Sequence, residues 1–163
     1  MELFGAIPKS NKIEFRWGTL EQLINLERAD KALPLKLKKI LHRKADNSLG
    51  GLKLVFEGDI ETDAMDCEYD KKKFEIYEMR ESRLKSIKMR VNPCNSGCYI
   101  NTMSLVYDDG KEDSIFSYNS NGNFVTKDIP LGHEICGIYA YTAKPNEYIR
   151  MHAVGFTLEK MKK

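Results

Sequence analysis

No apolar stretch in this 163-residue chain approaches the length of a membrane-spanning helix. Its first residues, Met-Glu-Leu-Phe-Gly, set no basic segment ahead of an apolar one, so a secretion signal is not expected. Charge of one sign is missing too. The 26 Lys and Arg against 24 Asp and Glu leave a net +2, too little to draw the chain to nucleic acid or a membrane surface. Histidine is scarce, and His42, His133 and His152 stand in no nucleophile or metal motif. A glycine-rich phosphate loop is lacking. These absences point to a chain that is not an enzyme and carries no cofactor. Paired Cys-x-x-Cys knuckles are also absent among Cys67, Cys94, Cys98 and Cys136. Cys94-x-x-x-Cys98 with His133-x-x-Cys136 is open to two readings, a Cys₃His zinc set or free thiols. With no export signal, reduced thiols and a cytoplasmic location are expected.

What is present is a 42% hydrophobic share, enough for one core at this length. Residues 57–70 are acidic, and Lys71, Lys72 and Lys73 follow at once, the pattern of solvated strand and turn faces. Lys12 to Trp17 alternates as a strand does. Thr19 with Gln22 forms a capping-box spacing, Leu20, Leu23 and Ile24 follow at helical intervals, and Pro34 suits a first helical turn. Leu37, Ile40 and Leu41 then share a helical face, with Lys36, Lys38, Lys39, Arg43 and Lys44 mostly off it. The spacing therefore predicts a small helical insert with a basic helix over residues 35–44. That basic face either stays solvated or touches an acidic partner.

From residue 49 the period changes to two, with Leu52, Leu54 and Phe56 alternating before Gly58. Asn92-Pro93, Asp108-Asp109-Gly110 and Asn119 to Asn123 punctuate the strands that follow. A repeat organises them. Leu49, Leu52, Leu54, Val55 and Phe56 map onto Ile100, Met103, Leu105, Val106 and Tyr107 at an offset of 51. The same offset carries Leu84, Ser86, Ile87 and Met89 onto Ile135, Gly137, Ile138 and Ala140. A partial third copy sets His152, Val154 and Phe156 on Met103, Leu105 and Tyr107 at an offset of 49. Such a unit cannot bury its inner face alone, so copies must pack together. The strands Ile13–Trp17 and Ile149–Leu158 are available to complete a third sheet.

Three segments carry a family resemblance. Gly97-Cys98-Tyr99-Ile100-Asn101 resembles the Gly-x-Tyr-(Leu/Val)-Asp sugar motif of jacalin-like lectins. Ile100 to Gly110 resembles the strand and turn after it, and Leu131 to Ile138 the family's "Leu-x-x-Glu-x-Ile-x-x-Ile" segment. Asn101 replaces the family's aspartate, only Gly50-Gly51 stands for its early glycine-rich loop, and the motif is permuted along the chain. The repeat and the helical spacing give a mainly β chain of repeated antiparallel sheet units, with residues 1–48 docked on a repeated domain of residues 49–163; the resemblance implies a β-prism or related β-sandwich shape. It also implies a sugar loop at Gly97, Cys98, Tyr99 and Asn101, which the residues alone equally describe as an ordinary turn with a packed tyrosine. Tyr139 and Tyr141 alternate with Ile138 and Ala140, and Tyr148 sits near a strand start. They form either a recognition face or a cross-strand aromatic pair. The first expectation is a protein-interaction or structural module, and the alternative is a carbohydrate-binding module. Another protein or a carbohydrate is the expected partner, not nucleic acid or membrane.

Overall fold

The computed structural model describes residues 4–5, 13–19, 36–45, 48–62, 65–66, 73–94, 97–118, 120–143 and 151–160. The described strands, in chain order, are Phe4–Gly5 (β1), Ile13–Thr19 (β2), Leu37–Ala45 (β3), Ser48–Phe56 (β4), Ile60–Glu61 (β5), Met65–Asp66 (β6) and Glu75–Glu78 (β7). Leu84–Cys94 (β8), Gly97–Tyr107 (β9), Glu112–Ser117 (β10), Asn123–Asp128 (β11), His133–Ala143 (β12) and Met151–Lys160 (β13) follow. They form three antiparallel sheets, ordered β1-β13-β12-β2, β10-β9-β8-β11 and β5-β4-β3-β7, with β6 also on β4.

Each sheet is built round one pair of long strands: β3–β4, β8–β9 and β12–β13. The sequence repeat matches this plan. The mapped strands β4, β9 and β13 hold the same place in their sheets, as do β8 and β12. Leu54, Leu105 and Val154 are fully buried, and two residues on an aromatic ring is buried in every sheet: Phe56, Tyr107 and Phe156. The inner faces meet in one core that also takes in Ile40, Ile87, Met89, Met103 and Ile138. Burying each such aliphatic side chain contributes about 1.5–3 kcal/mol. The strand expected at Ile13–Trp17 pairs with β12 and the last strand pairs with its other edge, completing the third sheet.

The helical insert is corrected. Thr19 ends a strand, paired with Gly137, rather than capping a helix. Residues 20–35 lie outside the described residues. Of the basic helix expected over residues 35–44, residues 37–44 belong to β3. The reason is a β-bulge. The register shifts between Leu37 and Lys39 against Phe56 and Val55, which inserts one residue into β3. Leu37, Ile40 and His42 therefore all face inward, and an i, i+3 interval that reads as helical is a strand with one extra residue.

Candidate functional site

The β8–β9 hairpin pairs as far as Cys94 with Gly97, so the expected sugar loop sits at its tip. Cys98 stands opposite Pro93 and Tyr99 opposite Asn92, and Tyr99 is half-buried. Asn101 is different. The pairing slips so that Val91 opposes Ile100 and Arg90 opposes Thr102, leaving Asn101 as the extra residue of a second bulge. Its side chain is fully buried. Its Nδ2 donates to the Asn121 carbonyl at 2.6 Å, and Thr102 Oγ1 donates to its Oδ1 at 3.3 Å. The Asn101 amide thus holds the Asn121 main chain against the sheet. Gly122 completes that contact, with φ of 99° and no room for a Cβ against the Val91 carbonyl.

The same end carries a cluster that links two sheets. His42 of β3 meets the Tyr118 hydroxyl through Nδ1 at 3.3 Å and lies 5.3 Å from the Phe116 ring. Tyr118 stacks on Phe116 at 4.7 Å, and the Lys44 ammonium stands 5.7 Å from the Tyr118 ring centre. Burial holds the His42 pKa below its ordinary value, opposed by the charge of Glu75. Arg43, another cation of the expected basic helix, stacks on Phe74 at 4.7 Å.

Tyr139 and Tyr141 do face outward, since Ile138 and Ala140, which alternate with them, are fully buried. Both are half-buried. The Tyr139 ring covers Gly155 of the neighbouring strand, where a Cβ would stand 2.7 Å from its Cε1. Tyr148 lies outside the described residues. The Cys₃His set is not brought together. His133 stands beside Leu84 at the start of β8, whereas Cys94 ends that strand, about 30 Å away at the rise of a β-strand. The Cys136 thiol donates to the Thr157 carbonyl at 3.4 Å.

At the opposite end, a polar network fixes the loop before β8. The Arg80 guanidinium grips Asp113 through Nε at 2.6 Å and Nη2 at 2.8 Å, and Tyr77 donates to the same carboxylate at 2.6 Å. Because the Tyr77 hydroxyl hydrogen is directed at Asp113, the buried Tyr107 hydroxyl donates to Tyr77 at 2.7 Å and accepts from the Arg80 amide at 3.2 Å. Arg80, then Tyr77, hold the Asp113 pKa down at about 2.

A scan against protein-family models finds no match, and neither does a search of curated protein sequences. Solved structures do match over nearly the whole chain. The artocarpin–mannotriose complex gives a TM-score of 0.61 at 10% identity, covering 98% of this chain and 95% of that one. AcmJRL, a mannose-binding jacalin-related lectin from Ananas comosus, gives 0.59 at 14% identity, covering 98% and 96%. The second β-prism domain of RbmC from V. cholerae, bound to N-acetylglucosaminyl-β-1,2-mannose, gives 0.58 at 15%, covering 96% and 98%. The chain has the β-prism fold. The chain shares its shape with these prisms, while identities of 10–15% leave its side chains its own.

Within the prism, the paired strand ends Ala45 with Ser48 and Cys94 with Gly97 lie at one end, and the Arg80–Asp113 network lies at the other. The motif Gly97-Cys98-Tyr99 is thus at the hairpin end. The His42–Phe116–Tyr118 cluster was not legible in the sequence. Its residues come from two sheets and no local spacing joins them.

Proposed function

We propose that this chain is a non-enzymatic carbohydrate-binding module that takes a mannose-containing glycan at the hairpin end of its prism. One observation carries the reading: a fold match along 96–98% of the chain to prisms described as mannose-binding or bound to mannose-containing sugars. The Gly97-Cys98-Tyr99 segment at the β8–β9 tip supports it. Glycine lets a sugar approach the main chain closely, main-chain amides offer donors, and a half-buried tyrosine offers a ring face with a polar tip. Asn101 has no direct part in this reading, because its amide is occupied inside the fold.

The order of the two sequence readings is thereby reversed. The protein-interaction reading rested on the outward tyrosines and a helical insert; the Tyr139 ring covers Gly155, and residues 37–44 of that insert are a strand. A broad glycan array tests the proposal. Mannose-terminated glycans should retain the wild type, and Tyr99→Ala should lower that signal at least fivefold while leaving the unfolding midpoint unchanged. A wild type that retains no glycan contradicts it.

A further inference from the structure

The end of the prism opposite the hairpins holds a cavity of about 220 Å³. Its walls are apolar where Leu37, Leu84, Ile129 and Ile135 meet, and three cations stand on its lining: Lys36, Arg80 and Arg83. Two of them are answered by carboxylates. Arg80 is held by Asp113, and Lys36 Nζ lies 3.6 Å from Glu81. Arg83 is not. Its Nη2 donates to the carbonyls of Ile129 and Pro130, both at 2.8 Å. Its Nε is buried with no hydrogen-bond partner, the one such side-chain atom among the described residues. No carboxylate of the described residues pairs with it.

The two carbonyls fix this guanidinium in place, and the Arg80–Asp113–Tyr77 network fixes the loop that carries it. A half-buried cation held rigid beside hydrocarbon, without an anion, is an unfavourable arrangement when empty. An oxyanion in the cavity would supply the missing counter-charge to the guanidinium. The apolar walls select what that oxyanion is attached to. We infer that this cavity is a second binding site, independent of the glycan site, for a small organic carboxylate. The carboxylate pairs with Arg83, and a short hydrocarbon body lies against Leu37, Leu84, Ile129 and Ile135. Glu134 also lines the cavity and makes no ion pair with any described residue, so its charge opposes the ligand.

Hexanoate is the probe, with hexanamide as its neutral counterpart and inorganic phosphate as an oxyanion without a body. The readout is the methyl NMR signals of Ile129 and Ile135 in the whole chain. Hexanoate should shift both signals saturably, and the other two should not at equal concentration. Arg83→Leu should abolish the shift. Glu134→Gln should tighten hexanoate binding about threefold by removing a like charge at the rim, and it keeps the test open if the arginine variant does not fold. Equal shifts with hexanamide or with phosphate, no shift with hexanoate, or unchanged affinity in Glu134→Gln overturns the inference.

Discussion

Gly155 tests whether the outward tyrosine face is packing or recognition. The glycine is buried in β13, opposite Tyr139 in the β12–β13 register, and the tyrosine ring lies over it. An added Cβ would meet the ring's Cε1 at 2.7 Å, below any distance real Cβ atoms adopt. The nearest obstacles are Cζ and the hydroxyl at the outer end of the Tyr139 ring, so Gly155→Ala must displace that ring. Overpacking of this kind costs about 1–3 kcal/mol. For a domain of this length that lowers Tm by roughly 2–12 °C. Tyr139→Ala alone loses the cross-strand cover. The double variant has room for the new methyl, so its loss should fall short of the sum by about 1 kcal/mol or more. Urea unfolding of the four proteins, followed by circular dichroism, measures this. A neutral Gly155→Ala, or strict additivity in the pair, would refute the account of Tyr139 as a cover for Gly155.

The remaining predictions concern the core and the two polar clusters. Leu54→Ala and Leu105→Ala, at mapped positions in two sheets and both fully buried, should each cost about 2–5 kcal/mol in urea unfolding; a near-neutral result for either breaks the equivalence of the sheets. Asp113, its pKa depressed to about 2, contributes stability above its unfolded value near 4 that is lost as pH falls from about 4 to about 2. Asp113→Asn should flatten that part of the stability–pH curve, and an unchanged acid limb contradicts it. His42 is held neutral by burial, so the unfolded chain binds its proton more readily and stability should fall as pH drops below 6.5. Its NMR titration midpoint should lie below 6.5, and a midpoint above that value reverses the sign.

The fold was largely legible because its signals are local and repeated. Alternation at Leu52, Leu54 and Phe56 recurs at Met103, Leu105 and Tyr107, and both places are buried strand faces. Legibility failed at the bulges. One bulge turned Leu37 and Ile40 to the same side and imitated a helix; another turned Asn101 inward, away from the other residues of the expected sugar loop. Strand period marks which residues alternate, and a bulge resets the phase without leaving a mark in composition. The cavity round Arg83 was not legible either, since Lys36, Arg83 and Glu134 meet only through the packing of different sheets.

An amide-resolved NMR titration with mannotriose tests the central proposal most directly. The account predicts saturable shifts at Gly97, Cys98 and Tyr99, on the hairpin end, with Arg83, Ile129 and Glu134 at the other end unmoved. Shifts confined to the Arg83 end, or none at concentrations where Ananas comosus AcmJRL responds, would contradict it.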